Sequence, residues 1–336
     1  MTTSSNRLPA KSLSIIRMCV IALVGLAIAQ LVSGAQASAP SERNTGEDYT
    51  LRLNSNMVIL SATVIDHHNS LVSGLSKDDF QIYEDGAPQQ IRDFSHEDIP
   101  VTAGIVVDNS GSMTSKRSDV IAAALEFAQS SNPQDQMFVV NFNEHVSLAL
   151  PPDTPFTGSR DQLQLALSKI QPMGQTALYD ALALALNHLK QGNSDKKVLI
   201  VISDGGDNAS KHTLAQVIAM AQRSSAIIYA IGIYDDQDPD QKPDVLKQFA
   251  KQTGGEAFFP ESPKEIPAIC EGIARDIRNQ YTLTYVPTIT SQDGSYRAIE
   301  VKASTRGRGR LLVRTRAGYS VSQSPPKVIS SSGARP

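Results

Sequence analysis

The segment Val101 to Met113, VTAGIVVDNSGSM, constrains the fold more than any other stretch of the chain. It is a near-continuous apolar run that breaks into Asp108, Asn109, Ser110, Gly111 and Ser112. A strand buried on both faces of a parallel sheet ends in a polar loop in this way. A second apolar run, Ile200 to Gly205 (IVISDG), also ends in an acid, Asp204. Strands covered on both faces call for helices on both faces, and an open sheet of that kind binds ligands outside the carboxyl ends of its strands.

From residue 99 the signals alternate as a doubly wound α/β unit requires. Strands are expected at 101–107, 137–143, 145–150, 197–203 and 226–233, with a short one at 255–259. Helices are expected near 114–131, 160–169, 176–191, 211–224, 243–253 and 263–279. Only Asn143 and Glu144 separate the second and third strands. That connection is too short for a parallel crossover, so the pair must be an antiparallel hairpin at the sheet edge.

Asp108, Ser110 and Ser112 place one carboxylate and two hydroxyls on a loop tightened by Gly111. All are hard oxygen donors, suited to Mg²⁺. Thr176, in Gly174-Gln175-Thr176-Ala177, opens a helical run with Leu178, Leu182, Ala185, Leu186 and Leu189 as its core stripe. Asp180, one turn on, reads as a surface or supporting residue and not a ligand. In a doubly wound sheet Asp108, Ser110, Ser112, Thr176 and Asp204 can meet at one edge.

The set Asp108-x-Ser110-x-Ser112, then Thr176 in GQTALYDAL, then Asp204 in ISDGGDN resembles the metal-ion-dependent adhesion site (MIDAS) of von Willebrand factor A-type (VWA) domains, over roughly residues 99–280. The resemblance implies a Rossmann-like fold and a bound Mg²⁺, with Mn²⁺ or Ca²⁺ as substitutes. Asp108, Ser110 and Ser112 would then be ligands of the first loop, Thr176 a direct or water-linked ligand, and Asp204 a ligand through water. It also implies a protein partner whose acidic side chain completes the coordination sphere. Asp207 and Asn208 are candidates for contacting that partner, or for capping a helix. In integrin members of the family, ligation is linked to displacement of the final helix, here about 263–279.

Before this unit, residues 50–98 are β-rich. A strand is expected over Met57 to Ile65, a short helical turn at Ser76 to Phe80, and strands over Gln81 to Glu84 and Gln89 to Ser95 around the turn Asp85-Gly86-Ala87-Pro88. The segment SGLSKDDFQIYEDGAPQQIRDFSHEDIP resembles a module that precedes the A-type domain in a bacterial VWFA-related family of acidobacterial type, which has no settled activity. After the unit, Tyr281 to Val286, Tyr296 to Ala303 and Arg310 to Arg316 return to a period of two. Each flank is too small to stand alone, so the simplest solution is one β-sandwich, built from 50–98 and 281–322, into which the A-type domain is inserted. Arg306, Arg308, Arg310, Arg314 and Arg316 are spaced by two or four and read as the solvent face of a strand.

Residues 1–37 carry Arg7, Lys11 and Arg17, no acid, an apolar core from Met18 to Ala29, and Ala35-Gln36-Ala37. This is the pattern of an export signal, followed by a flexible linker at 38–49. The expected location is secreted, periplasmic or elsewhere in the cell envelope, with an uncleaved leader as the one route to a membrane. Cleavage removes Cys19 and leaves Cys270 without a disulfide partner. It also takes the formal charge from −3 to −6, which offers no footprint for nucleic acid. The Ser- and Pro-rich residues 323–336 read as a disordered tail.

Enzymatic patterns are scarce. No Gly-x-Ser-x-Gly elbow surrounds Ser110 or Ser112, no G-x-x-x-x-G-K-[ST] loop occurs, and no small-molecule cofactor is expected. His145, His188 and His212 are scattered and read as surface residues. The reading is a non-enzymatic, metal-dependent protein-binding module. The alternative is a metal-assisted hydrolase with an unfamiliar site.

Overall fold

A computed structural model describes residues 57–169, 171–234, 241–289 and 293–321. The leader, the linker and the tail lie outside the described residues. The first flank contributes β1 (Val58–Ile65), β2 (Phe80–Glu84), β3 (Ala87–Gln89) and β4 (Ile91–Ser95). The central unit then runs β5 (Val101–Asp108), α1 (Arg117–Ser130), β6 (Gln136–Phe142), β7 (Val146–Leu148), α2 (Arg160–Ser168), α3 (Leu178–His188), β8 (Lys196–Ser203), α4 (Leu214–Ser224), β9 (Ile227–Gly232), α5 (Pro243–Thr253), β10 (Ala257–Phe258) and α6 (Ile266–Arg278). The second flank adds β11 (Tyr281–Tyr285), β12 (Tyr296–Ala303), β13 (Leu312–Arg314) and β14 (Gly318–Ser320).

The central sheet has the order β10-β9-β8-β5-β6-β7. All its pairings are parallel except β6 with β7, the expected edge hairpin. All eight residues of β5 are buried, because α1 and α6 pack over one face of the sheet while α3 to α5 pack over the other. Gly104 has a specific reason to lack a side chain. A Cβ there would lie 2.4 Å from Cζ of Phe138, whose ring fills that layer from β6.

Strands from the two flanks interleave in two further sheets, of order β13-β1-β11-β4 and β14-β12-β2-β3. Leu60, Ile82, Tyr281, Leu283, Ile299 and Val301 belong to one core, so the two sheets face each other as a sandwich. The helical unit is inserted between β4 and β11, which are themselves paired.

Two expectations for the flanks change. Asp85 and Gly86 alone form the β2–β3 turn, with φ of 48° and 80°, the left-handed pair that a tight two-residue hairpin needs. The chain then switches sheets after Gln89, and β4 pairs with β11 rather than returning along β2. Switching lets both sheets cover one apolar core. The arginine series also divides. Arg306, Arg308 and Arg310 are exposed, but Arg314 turns inward to ion pairs with Asp276 of α6 and with Glu256. A buried carboxylate such as Asp276 requires that cation.

Candidate metal centre

β5 and β8 are neighbours in the sheet but not in sequence, so the winding direction reverses between them. The crevice above such a reversal is where an open sheet can admit a ligand. Asp108 ends β5, and Asp204 follows Ser203, the last residue of β8.

Their side chains meet through hydroxyls. Ser112 donates from Oγ to Oδ2 of Asp204 at 2.6 Å, and Oγ of Ser110 lies 3.2 Å from Oγ of Ser112. The Asp108 carboxylate accepts from the Ser110 N–H at 2.9 Å on Oδ1 and from Ser203 Oγ at 2.6 Å on Oδ2. Asp204 Oδ1 accepts from the Gly206 N–H at 3.1 Å. Both acids are buried, with 2% and 3% of their surface exposed, whereas Gly111 and Ser112 are open to solvent. Burial, and then the charge of Asp204, push the Asp108 carboxyl up to about 7 despite its hydrogen bonds. No cationic side chain bonds to either acid among the described residues.

The Thr176 loop is bound to this centre by its backbone. Gly111 N–H donates to Gly174 O at 3.1 Å, and Met173 N–H to Asn109 O at 3.0 Å. Gly174 has φ +77°, and a Cβ there would lie 1.7 Å from Oε2 of Glu144. That same oxygen accepts from the Gln175 N–H at 2.7 Å. Asn208 and Asp207 secure the far side of the loop. Asn208 Oδ1 accepts from Thr176 N–H at 2.8 Å, and Asp207 Oδ1 from Tyr179 N–H at 3.1 Å and Ser210 Oγ at 2.6 Å. The first turn of α3 is therefore capped from outside its own sequence, and the Thr176 hydroxyl makes no hydrogen bond to the described residues.

The fold thus brings Asp108, Ser110, Ser112 and Asp204 together and holds Thr176 beside them. Asp180 serves the surrounding loops. It accepts from the Lys211 and His212 N–H groups and from the His212 ring, and these bonds outweigh its burial and lower its pKa. His145 is exposed. His188 is buried, contrary to the sequence reading, because it continues the inner face of α3 to reach Pro155 O at 2.9 Å between Phe138 and Phe156. Sequence reasoning passed over Ser203, whose only signal is a hydroxyl interrupting an apolar run. It also passed over Asn109 Oδ1, which accepts from Arg117 at 2.6 Å and so anchors the loop to α1.

The family model described as von Willebrand factor type A domain matches residues 104–206, a span that includes all five candidate ligands. An uncharacterized protein of Borreliella burgdorferi is 30% identical over 112 residues, which is 32% of this chain and 32% of that protein. The matched region is thus about a third of that curated relative's length. Among solved structures, the chain is similar to the von Willebrand factor type A protein of Catenulispora acidiphila, at 15% identity and TM-score 0.47, covering 80% of this chain and 74% of that one. It is also similar to the vWF domain of the type V pili tip protein Mfa5 from Porphyromonas gingivalis, at 16% identity and TM-score 0.45, covering 53% of this chain and 95% of that one.

Proposed function

We propose, from the match of residues 104–206 to the von Willebrand factor type A family model, that the chain is an exported, metal-dependent protein-binding module of the adhesion or scaffold kind. Asp108, Ser110, Ser112, Thr176 and Asp204 would hold Mg²⁺, or Mn²⁺ or Ca²⁺ in its place. The carrying observation is a donor set of two buried carboxylates and converging hydroxyls with no cationic side chain bonded to the carboxylates among the described residues. Uncompensated buried charge is costly, and oxygen donors of this kind match a hard divalent ion. When bound, the ion supplies an electron-poor centre that a partner's carboxylate oxygen can join.

The chain's own groups shape that encounter. Gly111 and Ser112 leave the mouth open, and the Thr176 hydroxyl is unspent. Asp207 and Asn208 stand at the rim, half-buried and exposed respectively. Each uses one oxygen to fix the Thr176 loop, which leaves Oδ2 of Asp207 and the amide NH₂ of Asn208 for a partner. The exported location rests on the leader pattern of residues 1–37. Among the described residues no helix is long and apolar enough to cross a membrane.

Calorimetry on the chain should show one site for Mg²⁺ or Mn²⁺, with affinity falling at least tenfold, about 1.4 kcal/mol, in Asp108→Ala. Equal binding by the two proteins would sink the metal assignment. A pull-down from envelope extract, run with Mg²⁺ and with chelator, then asks whether partner capture follows the metal.

A further inference from the structure

A cavity of about 480 Å³ lies at the opposite end of the central sheet from the metal centre, a volume within the range of small-ligand pockets. Lys196, at the start of β8, and Ile227, at the start of β9, line it. The metal centre is at the other end of β8, roughly 23 Å away at the usual rise of a strand. The second wall is the sandwich, with Met57 just before β1, Ile59 on β1, Pro287 and Ile289 after β11, and Tyr319 on β14. The floor is therefore polar on one side and apolar on the other.

The apolar side is unusually open. Met57, Ile59 and Ile289 are 46%, 44% and 41% exposed, although they are large and gathered around one hollow. The polar side carries Arg223, Arg316, Lys196 and Lys197 against a single acid, Asp195. The two lysines are occupied elsewhere. Lys196 Nζ donates to Ile277 O at 2.9 Å, and Lys197 Nζ to Leu189 O at 2.6 Å. The two arginines are not paired with any carboxylate among the described residues. Arg316 donates to Ser225 Oγ at 3.0 Å and sits 5.3 Å from the centre of the Tyr319 ring, while its buried Nε has no hydrogen-bond partner. Burial pushes this guanidinium below its ordinary value, the environment in which an anion adds most. Arg223, at the end of α4, is exposed and makes no hydrogen bond to the described residues.

We propose that this cavity is a second binding site, for an anionic amphiphile: a single apolar chain with a phosphate or carboxylate head. Arg316 and Arg223 receive the head, because a planar guanidinium presents paired donors to either oxyanion. Ile59, Ile227 and Ile289 cover the chain. A phosphate head and a carboxylate head share this chemistry, and the choice of probes separates them.

The test is calorimetry on the full chain with decyl phosphate and with decanoate, each below its micellar concentration, beside inorganic phosphate. One site is expected for at least one amphiphile, with inorganic phosphate at least tenfold weaker. Arg223→Gln and Ile59→Asp alter exposed side chains and so leave the fold intact, and each should weaken binding about tenfold. Arg316→Gln should weaken it further, and Asp108→Ala should leave it unchanged. Failure of both amphiphiles to bind, binding untouched by Arg223→Gln and Ile59→Asp, or inorganic phosphate binding as tightly as the amphiphiles would each overturn the proposal.

Discussion

The carboxyl of Asp108 ionises in surroundings that oppose it. Burial and the neighbouring Asp204 charge raise it from 3.8 to about 7 in the metal-free fold. A raised folded-state value favours the folded chain while the acid is protonated. That contribution is complete below pH 3.8 and is lost as pH climbs through about 7. At 1.36 kcal/mol per unit the loss amounts to about 4 kcal/mol. In chelator, Asp108→Asn should therefore be more stable than the parent at pH 8, by up to about 4 kcal/mol, and near parity at pH 4. Urea midpoints across that range check it, and a variant that is less stable in chelator at pH 8 would contradict the account. With saturating Mg²⁺ the order should reverse, since only the parent gains binding energy. The meeting of Asp108, Ser110, Ser112 and Asp204 was readable from the sequence, because apolar runs that end in small polar residues announce such strand-end loops. Ser203 was not, since one hydroxyl in an apolar run has no meaning until β8 lies beside β5.

Among the elements, α6 joins the two halves of the molecule. Its Asp276 accepts from Thr63 Oγ1 of β1 at 2.6 Å and from Tyr229 OH of β9 at 2.8 Å, and pairs with Arg314 of β13. Gln280 adds bonds to Thr63 and Tyr229. Lys196 donates to Ile277 O, placing a cation at the helix's carboxyl end, where the dipole favours it. The final helix is thus fastened to the sandwich by a buried polar network. Arg314→Ala would strand the Asp276 charge, and removing one partner of such a pair costs about 3 kcal/mol. A lower urea midpoint is expected, with faster amide exchange in both α6 and β1. Exchange that speeds up in the sandwich alone would show that the helix is held by something else. From sequence this arginine reads as solvent-facing, because a period of two cannot say which face of a strand meets another domain.

At the scale of the molecule, the central unit interrupts a sandwich whose strands come from both sides of it. β1 lies between β11 and β13, and β2 between β12 and β3. Ending the chain at residue 280 would strip β1 of both neighbours and remove Tyr281, Leu283, Ile299 and Val301 from the shared core. Each such side chain is worth about 1.5–3 kcal/mol when buried. The remaining first flank cannot be a stable sheet. Limited proteolysis should cut between Asp48 and Pro100 in the shortened chain, under conditions that spare the full one. A first flank that stays resistant would mean that the halves fold independently.

The sequence by itself determined the central strands and helices to within a few residues, and their alternation determined the doubly wound class. Hydrophobic period and strand-end polarity are local properties, so they survive in one dimension. The sheet switch after Gln89, the inward turn of Arg314 and the external capping of α3 by Asp207 and Asn208 were decided only in the tertiary structure. Each depends on which distant surface arrives to satisfy a buried charge, an orphan N–H or an uncovered apolar face. Partners 28 and 38 residues away in sequence, Asp207 for Tyr179 of the helix it caps and Asp276 for Arg314, leave no local trace.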